Sequence, residues 1–223
     1  LIFRFDVNNN LYNSVVRIRQ DNSGDYHIDT PQLSQYTETF RCRIQTQKFL
    51  LESKLFIDDL QELMLPKKLT PIIEILKEID PNICDIRLGK NEMVFVDLGK
   101  ENLLPLNIMG DGIRRILSII LSFSSIQNGV LLIDELENGF HHTSLKILFK
   151  AIFSACKKYN VQVFATTHSY ECIETFVKTY QELHPHQDDI RLFRIDKQGD
   201  THKAFIYNAE LLNAGVDMAF EVR

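Results

Sequence analysis

Two short, mostly apolar runs, VLLI at residues 130–133 and VQVFA at 161–165, stand out because neither alternates regularly with polar residues. Strands covered on both faces read this way. Between them, residues 143–159 carry apolar side chains at helical spacing. Run, helix, run is the order of a crossover that joins parallel neighbouring strands. A further helix is expected over residues 170–180.

Upstream the pattern changes. Residues 1 to about 50 alternate in short stretches, LIFRFDV, LYNSVVRIRQ and TFRCRIQTQKFLL, broken by the turn formers Asn8 to Asn10 and DNSGD. They predict antiparallel β structure. Leu55, Phe56, Leu60, Leu63 and Met64, then Ile72, Ile73, Leu76 and Ile79, recur at helical spacing, with Pro66, Pro71 and Pro81 as boundaries. ICDIRLG and EMVFVDLG predict a hairpin, and LPLNIMGDGIRRILSIILSF starts a long helix near Gly112. IRLFRIDKQGDTHKAFIY predicts a last hairpin with a polar turn, followed by a short helix. The expected class is α/β: a parallel core sheet with flanking helices, plus an antiparallel β and helical subdomain. The expected division is 1–50 antiparallel β, 51–104 helices and hairpin, and 105–223 the half that carries the parallel strands.

Composition narrows the function classes. The 223 residues are 44% hydrophobic and 25% charged, enough for one large core. The formal net charge of −5 argues against a surface that is wholly a nucleic-acid or anionic-membrane footprint and leaves room for a local basic patch. Cys42, Cys84, Cys156 and Cys172 form no CxxC pair, which fits a reduced, cytoplasmic setting without disulfides or zinc. The stretch ILSIILSFSSI, residues 116–126, falls short of the roughly 20 residues a membrane span needs, and it holds four serines. It reads as a core helix. The chain opens at Leu1 in mid-strand chemistry, so it reads as a fragment.

The candidate chemistry sits where the two apolar runs end. At the carboxyl end of a parallel strand, Asp134 suits a hydrated magnesium ion, and Glu135, turned by the pleat, suits a base that deprotonates water. A loop that merely begins with two acids is the competing reading. The next strand ends Thr166, Thr167, His168, Ser169 at the same edge, where a histidine can bond a γ-phosphate or the attacking water. Gly110, Asp111 and Gly112 open a helix whose backbone N–H groups can receive a phosphate; alternatively they form a tight turn with Asp111 as helix cap. Arg114 and Arg115 suit a partner's phosphates or the solvent face of that first turn equally well.

GDGIRRILSI, GVLLIDELENGFHH and VQVFATTHS, in this order, resemble the signature, Walker B and switch-histidine motifs of ABC-type ATPases. More narrowly they resemble the AAA15/AAA21-like ATPases related to the overcoming-lysogenization-defect (OLD) proteins. The resemblance implies a P-loop NTPase fold of ABC-ATPase type and an ATP-hydrolysing enzyme with ATP and Mg2+ as cofactors. Asp134 would position the metal, Glu135 would be the catalytic base and His168 would touch the γ-phosphate. Gly110, Asp111 and Gly112 would present the signature to ATP held by a second protomer in a homodimer. LENGFHH would be the D-loop counterpart. The proline after Asp-Glu, the SALD segment and LSGGQ of transporters are all missing, which favours the OLD-like branch.

No GxxxxGK[ST] phosphate loop occurs: Gly89-Lys90 and Gly99-Lys100 lack the first glycine and a helix start. The expectation is that this half lies upstream of Leu1 and that the chain alone binds nucleotide poorly. The expected function is a nucleotide-driven dimeric switch that controls an effector, a nuclease or a DNA-bound partner, in bacterial phage defence. The alternatives are a DNA-clamping ATPase of the repair or structural-maintenance kind and a metal-dependent nuclease. His141 and His142 do not have HExxH spacing, and His184 and His186 read as solvated surface.

Overall fold

The computed structural model describes residues 2–7, 10–15, 17–20, 26–29, 41–45, 54–65, 68–199 and 201–217. The turns expected at Asn8 and at DNSGD, the Pro66 boundary and the last six residues lie outside these. The chain divides into two compact units, residues 1–39 and 40–223.

In the first unit, β1 (Ile2–Val7) pairs antiparallel with β2 (Asn10–Val15), and β3 (Arg17–Gln20) pairs antiparallel with β4 (Tyr26–Asp29).

The second unit is built on β5 (Cys42–Gln45), β9 (Val130–Ile133) and β10 (Gln162–Ala165), a parallel sheet in the order β10-β9-β5. Before β9 come α1 (Lys54–Met64), α2 (Thr70–Lys77), the antiparallel strands β6 (Asp85–Leu88), β7 (Val94–Asp97) and β8 (Leu104–Pro105), and the long helix α3 (Asp111–Ser125). The crossover from β9 to β10 is α4 (His142–Tyr159), followed by α5 (Tyr170–Leu183), the hairpin β11 (Leu192–Gln198) and β12 (Thr201–Tyr207), and α6 (Ala209–Asp217). Pro71 stands in the first turn of α2, where its missing N–H costs nothing.

One expectation fails here. Residues 42–45 were grouped with the antiparallel strands, yet β5 runs parallel to β9, with Ile44 opposite Leu132. An alternating CRIQ fits either direction, and the direction is seen only in its pairing with β9. Gly129, just before β9, approaches the Arg41 carbonyl so closely that an added Cβ would stand 2.2 Å from that oxygen.

Helix α3 is the centre of the main core, with Ile116, Leu117, Leu121 and Phe123 fully buried among α1, α2 and α4. Each such side chain stabilises the fold by roughly 1.5–3 kcal/mol. Its serines are accommodated by a polar seam. The Ser122 hydroxyl donates back to the Ser118 carbonyl at 2.8 Å, Gln45 Nε2 donates to Ser122 Oγ, and Arg43 donates to Ser125 Oγ and pairs with Asp59. Burial pushes the Asp59 carboxyl up and the Arg43 charge opposes it. Seams of this kind satisfy what an apolar bundle would leave unbonded. Among the described residues no helix is long and apolar enough to cross a membrane.

The loop read as solvated is partly built in. His184 packs edge-on to Phe153 with ring centroids 6.0 Å apart, Asp189 accepts from the Tyr180 hydroxyl, and Asp188 accepts from the Ala209 amide at the start of α6. The four cysteines are free, and burial pushes Cys156 up to about 12 and Cys172 up to about 11.

Candidate active site

Because β9 and β10 are parallel and in register, Ile133 opposite Ala165, both chains leave the sheet at the same edge. The ladder carries on past the strands. Thr166 N–H donates to the Ile133 carbonyl at 2.9 Å, Leu136 N–H to the Thr166 carbonyl at 2.9 Å, and Asp134 N–H to the Gln45 carbonyl at 2.9 Å. Residues 134–138 then turn sharply, and Glu135 takes a left-handed φ of +47°. A residue other than glycine pays for that geometry in strain, and such strain gathers at functional sites.

Five hydrogen bonds, from three residues, set the acidic pair. The Thr166 hydroxyl donates to Asp134 Oδ1 at 2.7 Å and accepts the Glu135 N–H at 2.9 Å. Asn138 Nδ2 donates to Glu135 Oε2. From α3, Arg115 Nη2 donates to the Asp134 carbonyl at 2.9 Å and to the Glu135 carbonyl at 2.7 Å. Burial lowers the Arg115 guanidinium, and the charges of Glu137, Glu135 and Asp134 oppose that. Asp134 is exposed and Glu135 half-buried, so the second acid is the more sheltered of the two.

His168 is exposed at the same edge, and its backbone N–H donates to Glu137 Oε1 at 2.9 Å. Burial by itself would raise the Glu137 carboxyl. The N–H groups of His168 and of Glu137 itself, the Thr167 hydroxyl and the nearby His168 outweigh it, so the group is held below its ordinary value. After His168, Ser169 caps α5, its hydroxyl oxygen accepting from the Cys172 N–H at 3.2 Å.

The glycine turn is built differently from the cap reading. Gly110 is the cap residue of α3; Asp111 lies inside the first turn, makes no side-chain cap bond and pairs with Arg114. An added Cβ at Gly110 meets nothing within 4 Å, whereas one at Gly112 would lie 3.3 Å from the Gly139 carbonyl and 3.7 Å from the Phe140 ring. The glycine turn therefore packs on the LENGFHH loop of its own chain and leaves Gly110 open. Gly139, at φ +80°, permits this approach.

Residues 4–174 match the AAA_21 family, AAA domains described as AbiEii-toxin-like, of type IV TA systems. The chain belongs to this family. It is 33% identical over 129 residues to an ATP/GTP phosphatase of Helicobacter pylori, a match covering 55% of this chain and 35% of that protein. It is 46% identical over 66 residues to an uncharacterized protein of Methanocaldococcus jannaschii, covering 30% of this chain and 58% of the relative. The chain thus spans about a third and somewhat over half of those relatives' lengths. Its fold resembles the Smc head crystallised with the C-winged-helix domain of ScpA, at a TM-score of 0.54 and 13% identity over 89% of this chain and 69% of that one. Family and fold agree on an AAA domain with a fold like that of an Smc head.

Within this AAA-domain fold the structure brings Asp134, Glu135 and His168 to one sheet edge, with Gly110 to Gly112 joined to it through Arg115 and Gly139. Two participants, Gln45 and Asn138, escape the sequence, and a third, Arg115, is read there only as a phosphate contact or a solvent-facing residue. Gln45 gives no sign that its strand joins the same sheet, and Asn138 reads as an ordinary turn residue. Only the register of β5 against β9 and the path of the chain after Glu135 show their roles. Gly89 caps a single 3-10 turn, Lys90–Glu92, ahead of β7, and Gly99 follows β7; neither opens an α-helix.

Among the described residues no three of His, Cys, Asp and Glu gather to hold a metal ion. The oxygen donors that are present, the Asp134 carboxylate beside the Thr166 hydroxyl, fit magnesium, which keeps water and takes its remaining ligands from a nucleotide's phosphates.

Proposed function

We propose that the chain is the signature and Walker B part of an ATP-hydrolysing switch. The observation that carries this is the bonding of Asp134 and Glu135, at the end of β9, to Thr166, at the end of β10, with His168 two residues farther on. Asp134 would hold the magnesium ion, which supplies charge neutralisation on the phosphates when bound. Glu135 accepts a proton from water, sheltered by half-burial and aimed by Asn138. His168, exposed at the same sheet edge, would contact the γ-phosphate.

Gly110 is exposed at the head of α3 with open space before it, which supports its use as a phosphate-binding turn reached from a second protomer. The outer edge of β10 is unpaired among the described residues and carries the exposed Phe164. That edge suits the strand that leads to a phosphate loop, in line with the chain's short span of its relatives. The homodimer would act in the cytoplasm on an effector, a nuclease or a DNA-bound partner, in phage defence.

The test is Glu135→Gln in the full-length protein. Shape and magnesium binding are kept, the proton acceptor is lost, and turnover should fall about 10²–10⁴-fold while ATP binding persists. Unchanged turnover would remove Glu135 as the base. Hydrolysis that needs added DNA would favour the clamp alternative over the effector switch.

A further inference from the structure

Glu135 holds a backbone conformation it would not choose, with φ at +47°. Left-handed geometry is unfavourable for a side chain with a Cβ and costless for glycine. Something must hold the peptide there. Three bonds converge on it: Thr166 Oγ1 accepts the Glu135 N–H at 2.9 Å, Asn138 N–H donates to the Glu135 carbonyl at 3.1 Å, and Arg115 Nη2 donates to that same carbonyl at 2.7 Å. Arg115 also holds the preceding carbonyl, of Asp134, at 2.9 Å. Thr166 and Asn138 act from the sheet edge and from the turn itself; Arg115 alone of the three comes from α3, four residues after Asp111 at the helix start.

We infer that Arg115 is a positioning residue, which fixes the strained Glu135 peptide by gripping the carbonyls on either side of the Glu135 N–H and so ties the aim of that carboxylate to the signature helix. Two features support a built contact over an incidental one. Arg115 is half-buried, and the carboxylates of Glu137, Glu135 and Asp134 oppose the cost of burying its charge without outweighing it. The glycine turn also touches the same loop independently, Gly112 against the Gly139 carbonyl. Helix α3 and the acidic loop are thus joined at two points, one through a backbone approach and one through the guanidinium. The catalytic side of the inference rests on the ATPase reading; the conformational side does not.

The experiment separates the two. Arg115→Met keeps the aliphatic stem and deletes the donors. In the full-length protein without nucleotide, amide hydrogen exchange at Leu136 and Asn138 should quicken at least tenfold while Leu131, in mid-sheet, keeps its wild-type rate. Adding Glu135→Gly, which removes the left-handed penalty, should return much of the lost protection. Unchanged exchange at Leu136 and Asn138, or an equal loss at Leu131, would overturn the inference. If Arg115→Met does not fold, Arg115→Lys allows the same comparison, since its single ammonium holds the carbonyls less well than the guanidinium. In turnover, kcat for ATP should fall about 10–100-fold with KM within about twofold. A raised KM with unchanged kcat would contradict positioning of Glu135. A wild-type protein without ATPase activity would overturn the ATPase reading while the exchange result still decides the role of Arg115.

Discussion

The Thr166 hydroxyl donates to Asp134 Oδ1 across the β9–β10 boundary at 2.7 Å and accepts the next residue's N–H at 2.9 Å. One side chain therefore orients the carboxylate proposed for magnesium and fixes the peptide of the proposed base. Thr166→Val is nearly isosteric and removes both bonds. Outer partners of metal-binding groups typically contribute 10–100-fold. The variant should need more magnesium for half-maximal turnover and turn over about tenfold more slowly, with Thr166→Ser close to wild type. A magnesium titration of ATP hydrolysis checks it; identical curves would show that the hydroxyl is dispensable.

The shared-site proposal is best tested at Gly110. A substitution at Gly112 would disturb the chain's own Gly139 carbonyl, whereas an added Cβ at Gly110 meets nothing within 4 Å. Gly110→Arg should block ATP-driven dimerisation and hydrolysis while ATP binding to a single protomer stays intact. Mixed with Glu135→Gln subunits, it can pair into one site carrying both lesions and one carrying neither. Recovery of part of the activity on mixing supports composite sites. No recovery, with both variants folded and able to pair, counts against them.

Gly129 tests the sheet itself. A Cβ there would stand 2.2 Å from the Arg41 carbonyl and 2.6 Å from the Ile126 carbonyl, both backbone atoms with little room to yield. Val130 N–H also donates to that Arg41 carbonyl at 2.8 Å, so moving it loosens the start of the β5–β9 ladder. Gly129→Ala should destabilise the protein by about 1–3 kcal/mol, the usual range for overpacking. Denaturant unfolding measures this, and a midpoint equal to wild type would show that the approach relaxes freely.

Glu137 gives a pH dependence. Its carboxyl is held below the ordinary 4.5 because the His168 N–H and the other donors outweigh burial. A depressed carboxyl contributes stability that is present above its unfolded value and lost as pH falls through the folded one. Wild-type stability should therefore fall more steeply than that of Glu137→Gln as acid is added below pH 4.5. Parallel stability curves for the two would show that the carboxylate contributes nothing through its charge.

The sequence by itself determined the α/β class, the parallel strands at 130–133 and 162–165 with their helical crossover, the long core helix and the family resemblance. These are carried by short-range signals: unbroken apolar runs, helical spacing and adjacent acids at a strand end. It pointed the wrong way for residues 42–45, because an alternating tetrapeptide carries no strand direction. The tertiary structure decided that strand by laying it against β9, and only then did Gln45 come to meet Asp134. It also set aside Asp111 as the helix cap, placing Gly110 there and Asp111 beside Arg114. Arg115 is the clearest case. Nothing within a few residues of it differs from a solvent-facing arginine, and its role comes from the Asp134 and Glu135 carbonyls, about twenty positions away, which the fold brings to its guanidinium.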